Sequence, residues 1–185
     1  MPRRAQASAL LFAAVVAVGG AACGGDADGE TLPTYDQAGA PFRFSYPEAF
    51  TTQAENTGPE VKGRAPVHKV AVGRDETNVV VVAAYRLRKP VEEFKPSDFA
   101  AVLDRAAAAL AGARKVRVAR RSSGSLGGLP STVYDLTPTT GGVEQRLVYA
   151  FRGTTQFFVR CQWDAGGKEF LEAGCDEVQR SFRPA

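Results

Sequence analysis

Apolar and polar positions alternate first at Phe42, Phe44 and Tyr46, with Arg43 and Ser45 between them. That is the period of a half-buried strand, and Pro47 ends it. Residues 53–66 are polar, carry Gly and Pro, and predict a loop. His68 to Arg74 predicts a short strand with Val70 and Val72 inward, and Asp75-Glu76-Thr77-Asn78 a turn. Val79 to Leu87 (VVVVAAYRL) is the most apolar strand of the chain and is expected to be central. It is apolar at odd and even positions alike, so both of its faces need cover.

The period then changes. After a link over Lys89 to Lys95, Phe99, Val102, Leu103, Ala106, Ala107 and Leu110 fall on one helical stripe. Ser97 is placed to cap a first-turn N–H, Asp98 to favour the positive end of the dipole, and Gly112 to end the helix. Four strands follow: Lys115 to Ser122 with Val116 and Val118 inward, Thr132 to Thr137, Gln145 to Phe151, and Thr155 to Trp163. Gly127-Gly128-Leu129-Pro130, Thr139-Thr140-Gly141-Gly142 and Gly153 supply the turns. Phe157, Val159, Cys161 and Trp163 share one face of the last strand. Lys168 to Phe182 predicts a closing helix with Phe170, Cys175, Val178 and Phe182 near one side, weakened by Gly174. An early helix, a run of antiparallel strands and a final helix make an α+β sandwich, with an antiparallel sheet of about six to seven strands covered by helices.

The first 22 residues follow another rule. Arg3 and Arg4 are followed by the apolar run Ala9 to Gly20 and by the small pair Ala21-Ala22, the layout of an export signal. That run of 12 residues is shorter than the roughly 20 that a membrane span needs. Gly20-Ala21-Ala22-Cys23 resembles a bacterial lipobox, in which the cysteine is acylated and becomes the first residue of the mature protein. Gly20 departs from the Leu preferred there. An ordinary signal peptide cut after Ala22 is the alternative. The chain thus divides into a signal peptide (1–22), a lipidated Cys23 with a flexible linker rich in Gly and Asp (23–40), and one globular domain (41–185).

Charge and cysteine content change the picture further. The formal net charge is +3, but Arg3 and Arg4 lie in the leader. Setting them aside leaves 21 of the 23 basic residues against all 20 acidic ones. Such a balance does not favour nucleic acid. The three cysteines are Cys23, Cys161 and Cys175. Pairing Cys161 with Cys175 leaves Cys23 for lipid, whereas two buried free thiols would remove that argument. A bond would close a loop of about 15 residues, worth roughly 3 kcal/mol in the chain-entropy view.

Phe44-Ser45-Tyr46-Pro47 with Phe50, the helix after the third strand, the Gly127–Pro130 turn into a strand, and a final helix ending in Ser181-Phe182 occur in an order that resembles the PsbP/Mog1-like fold. Within it, the chain resembles in particular the small actinobacterial lipoproteins of the LpqN type. The resemblance spans about Pro41 to Phe182. It implies an antiparallel sheet covered by helices, in a binding or assembly factor that is not an enzyme and carries no shared catalytic motif. The Cys161/Cys175 pair is not a hallmark of that family.

The remaining chemistry is sparse. His68 is the only histidine, and its setting, Pro66-Val67-His68-Lys69, is the start of a strand. Nucleophilic triads and zinc sites would need it or more ligands than are present, so neither catalytic residues, cofactor nor metal is expected. Gly124-Ser125-Leu126-Gly127-Gly128 fits neither a P-loop nor a nucleophile elbow and is taken as a strand-connecting turn. Glu92-Glu93 and Asp176-Glu177 are neighbours along the chain and are expected on solvated faces. Arg114, Lys115, Arg117, Arg120 and Arg121 form the strongest charge signal. Lys115, Arg117 and Arg121 are expected to share the outward face of a strand. They are either a contact for an anionic surface or charges that discourage edge pairing. The expected role is a non-enzymatic binding or assembly module of the cell envelope, held to the outer face of a bacterial membrane. Its partner would be an envelope protein, a lipid or glycolipid, or a small apolar molecule between sheet and helix. An envelope hydrolase is the rival.

Overall fold

The computed structural model describes residues 31–53 and 65–185. Cys23, the leader and most of the loop expected over 53–66 lie outside the described residues. Among the described residues ten strands and two α-helices follow in order: β1 (Thr34–Tyr35), β2 (Phe42–Ser45), β3 (Thr51–Thr52), β4 (His68–Gly73), β5 (Val79–Arg86), α1 (Pro96–Arg114), β6 (Val116–Leu126), β7 (Leu129–Pro138), β8 (Glu144–Arg152), β9 (Thr155–Trp163), α2 (Lys168–Ser181) and β10 (Arg183–Pro184), with a 3-10 turn at Val91–Glu93 before α1. Seven strands form one antiparallel sheet in the order β3-β4-β5-β9-β8-β7-β6, and β2 pairs with β1 on one side and β10 on the other. The architecture is the α+β sandwich expected.

Both faces of the large sheet are covered. On one face Val80, Val82, Val159, Cys161 and Trp163 pack with Phe42 and Phe44 of β2 and with Leu171, Cys175 and Val178 of α2. On the other, Tyr134, Leu136, Leu147, Tyr149 and Phe158 pack under Leu103, Ala107 and Ala111 of α1. β5 is buried along nearly its whole length, as its two-sided apolar character requires. β2 and α2 therefore form one outer layer and α1 the opposite one.

Several local expectations are corrected. Pro96 opens α1 at the position where a missing N–H costs least, so Ser97 lies inside the helix and does not cap it. Gly112 is helical too. The helix ends at Lys115, which takes a left-handed conformation (φ 56°) and donates its N–H to the Ala111 carbonyl. Val102 stands on the outward side of the helix, 47% exposed, while Ala111 joins Leu103 and Ala107 on the inward side. Val118 lies opposite Leu136 on the face of Val116, as expected, but is 38% exposed on β6, the edge strand of the sheet. Gly124 belongs to β6, and the turn is the tight Gly127-Gly128 pair, both at positive φ. Strand pairing begins before Pro41: β1 lies within the stretch assigned to the linker, with Tyr35 opposite Phe44.

Two glycines explain how the layers close. The Gly127 N–H donates to the Gln179 carbonyl at 2.9 Å near the C-terminal end of α2. A Cβ on Gly127 would overlap the Phe182 carbonyl. Gly174, which weakens α2 as an isolated helix, is buried against the Phe50 ring, and a Cβ there would meet the ring itself. The helix gives up propensity for close approach.

Candidate functional site

Cys161 and Cys175 are joined by a disulfide, Cα–Cα 5.9 Å, and both are fully buried between β9 and α2. The three cationic residues expected on one face are not brought together. Lys115 ends α1. Arg117 lies opposite Thr137, and the register shift then sends Arg121 to the other face, opposite Tyr134. There Arg121 is committed: its Nε lies 3.1 Å from Asp104 of α1, and the Tyr134 hydroxyl donates to the same carboxylate at 2.6 Å. This cluster ties α1 to the sheet. Arg120, on Arg117's face, pairs with Asp135, which also receives Arg146; Arg146 reaches Asp176 of α2. Glu177 pairs with Arg180. His68 is half-buried against Phe42, its Nε2 hydrogen-bonded to the Tyr35 hydroxyl. Among the described residues no group of three His, Cys, Asp or Glu is placed to hold a metal ion, and no helix is long and apolar enough to cross a membrane.

Polar side chains also lie beneath α1. Arg114 donates to the Gln162 amide oxygen at 2.8 Å, and Gln162 donates to the Thr77 carbonyl at 3.1 Å. Burial lowers the Arg114 pKa. Burial, and then the charge of Arg114, pull the Arg160 guanidinium down to about 9. Burial raises Tyr149 far above the usual phenol range. These shifts follow from enclosure between helix and sheet.

The group that sequence reading missed is on the opposite layer. In the β2–β10 pair, Arg43 and Arg183 stand directly opposite one another, and both are exposed. Alternation puts Phe42 and Phe44 in the core and turns Arg43 outward. Two like charges at directly opposed positions destabilise a strand pair. The two arginines line a cleft of about 350 Å³ with Asp36, Ala40, Phe42, Pro184 and Ala185. Asp36 offers Arg43 a loose ion pair at 3.8 Å. Arg183 spends one terminal nitrogen on the Phe182 and Arg180 carbonyls, at 2.7 and 3.0 Å. Arg152, from the β8–β9 hairpin, donates to the Ala185 oxygen at the cleft's edge. Guanidiniums hold their charge at all ordinary pH and present several N–H donors in a fixed plane. The chemistry they offer is recognition, not proton transfer. The signal was absent from the sequence pattern because 140 residues separate the two positions (Arg43 to Arg183).

With this geometry in hand, the class of fold is plain: an antiparallel sheet between a helix on one side and a helix with a small accessory sheet on the other is a PsbP-like arrangement. The chain is similar to the solution structure of cyanobacterial PsbP (CyanoP) from Synechocystis sp. PCC 6803, with a TM-score of 0.59 at 14% identity, covering 88% of this chain and 97% of that one. Weaker likenesses are a crystal structure from Bacteroides thetaiotaomicron (TM-score 0.49, 12% identity, 82% of this chain and 48% of that one) and a protein of unknown function from Pseudomonas aeruginosa (TM-score 0.45, 11% identity, 83% and 97%). No protein-family model and no curated protein matches the chain.

Proposed function

We propose that the protein is an extracytoplasmic lipoprotein, anchored through Cys23, whose domain is a non-enzymatic binding or assembly module of the cell envelope. The observation that carries this reading is the buried Cys161–Cys175 bond. Disulfides persist in exported compartments and are rare in the reducing cytosol. The bond uses both cysteines of the domain and leaves Cys23, directly after an export-type leader, as the odd thiol that lipidation would use. The PsbP-like fold and the exposed arginine cleft are consistent with a surface that binds.

The test is metabolic labelling with an alkyne fatty acid in a host that processes bacterial lipoproteins. Labelled wild type and unlabelled Cys23→Ala are expected. Equal labelling of the two, or a soluble unlabelled wild type, would refute the anchor.

A further inference from the structure

We propose that the open edge of β6 pairs with the same edge of a second copy of this chain, joining two seven-stranded sheets into one. β6 ends the sheet order, so among the described residues one side of its backbone meets no strand. Which groups point that way follows from β7. Pro130 has no N–H and stands opposite Ser125, so that pair lies between hydrogen-bonded ones. Alternation then places Ser123, opposite Thr132, and Arg121, opposite Tyr134, in pairs of the same kind. The N–H and C=O groups of Arg121, Ser123 and Ser125 therefore face away from the sheet, and all three residues are exposed. Open edges are ordinarily blunted by charges and bulges. Here both devices sit in the first half of the strand, at Arg117, Arg120 and Arg121 and at the irregularity between Val118 and Arg120. From Ser122 to Ser125 the edge is regular, uncharged and built of small residues.

The pattern along this edge selects the occupant. In an antiparallel pair with its two-fold axis at Ser123, Ser123 faces its own copy and Arg121 faces Ser125 of the second chain. Every outward group then meets an outward group, which gives about six main-chain hydrogen bonds. Ser122 stands across from Gly124 of the second chain, so no bulky side chain holds the backbones apart. Arg121 and its mate lie roughly 14 Å apart along the strands, beyond the screening length of about 8 Å at physiological salt. Moving the axis to Arg121 would set two like charges directly opposite one another, which is unfavourable. The charges that guard the first half of β6 thus fix the register of the second half. They also disfavour an acidic strand from another protein. Arg120 is already paired with Asp135 and Arg121 with Asp104, so the edge offers foreign carboxylates little uncompensated charge.

The test uses the full exported protein carrying Ser123→Cys, oxidised with diamide, with cross-linked peptides identified by mass spectrometry. In the proposed pair the two substituted positions stand about 5.5 Å apart between Cα atoms, within reach of a disulfide. The control, Arg117→Cys, is exposed on the same strand but lies roughly 40 Å from its mate in this register. Symmetric cross-links at Ser123→Cys are expected to form about tenfold faster than at Arg117→Cys, because pairing raises the local thiol concentration. Equal rates would reflect random collision and overturn the inference. Ser123→Pro removes one outward N–H and spares the β6–β7 ladder. It is expected to abolish the concentration-dependent dimer that sedimentation reads in the wild type, with the urea midpoint unchanged. A wild type that stays monomeric at millimolar concentration, or a Ser123→Pro chain that dimerises equally well, overturns the pairing. If the proline lowers the midpoint, the cross-linking comparison decides. Preferential cross-linking of the Ser123→Cys thiol to another polypeptide in the producing cell assigns the edge to a foreign strand and overturns the second copy as occupant.

Discussion

Single side chains in this domain often serve two layers at once. The Tyr134 hydroxyl is buried at the sheet surface, yet its proton goes to Asp104 on α1, and Arg121 closes the triangle. Tyr134→Phe removes both hydrogen bonds of this hydroxyl, to Asp104 and from Arg121, without a cavity, and is expected to cost about 1 kcal/mol or more in urea unfolding. An unchanged midpoint would show that the cluster does not hold the helix. Asp75 acts more locally, within the β4–β5 turn. The Asn78 backbone N–H, helped by the Asn78 side chain and the Thr77 N–H, holds its carboxyl below the usual carboxylate range. Because the folded pKa is depressed, its contribution is present above about pH 4 and is lost as pH falls through the folded value. Asp75→Ala should accordingly flatten the fall of stability between about pH 5 and pH 3. An identical slope in wild type and variant would exclude it.

Elements show which parts of the fold can be read from sequence and which cannot. β5, the stripe of α1 and the Phe157–Trp163 face of β9 were legible because each is long and its burial is one-sided or complete, so periodicity reports it directly. β1, β3 and β10 are two residues each and exist only through their partners, a tertiary effect that leaves no local period. The β6 bulge is of the same kind. Val116 and Val118 lie before it on the α1 face, and beyond it Arg120 joins Arg117 on the opposite face while Arg121 turns to α1, so an alternation rule that places Val116 and Val118 correctly misplaces Arg121. Gly174 misled for a related reason: propensity counts its cost in an isolated helix but not the Phe50 ring it admits. The β6–β7 turn gives the sharpest test at this scale. Gly127→Ala forces a side chain into a left-handed residue pressed on the Phe182 carbonyl, and a loss of about 2 kcal/mol or more is expected. Gly128→Ala meets positive φ alone, with open space around it, and should cost less. Equal losses would show that the close approach is unimportant.

For the whole molecule, the disulfide sets how the layers are fastened. It joins the central strand β9 to α2, so the β2–α2 layer is bound to the sheet covalently while α1 is held by packing and its polar cluster. Cys161→Ala with Cys175→Ala is expected to lose about 3 kcal/mol, read by denaturant unfolding, and intact mass should show no alkylatable thiol among these two before reduction. Two alkylatable thiols in the unreduced, denatured protein would refute the bond. Hydrogen exchange should find α1 opening at lower free energy than α2, and equal protection of the two helices would contradict that asymmetry.

The position of β1 has a mechanical consequence. Tension on the chain ahead of Thr34 loads the open end of the β1–β2 hairpin, where Thr34 faces Ser45 and Tyr35 faces Phe44. Tension there opens the pairs one after another, as a zipper opens, so no single large barrier resists it. What gives way first is a strand of two residues, whose release frees a few residues of chain at roughly 3.4 Å each. The seven-stranded sheet and its cystine lie beyond that yielding segment and are spared until it is spent. β1 thus acts as a compliant link, a fuse at the edge of the folded body.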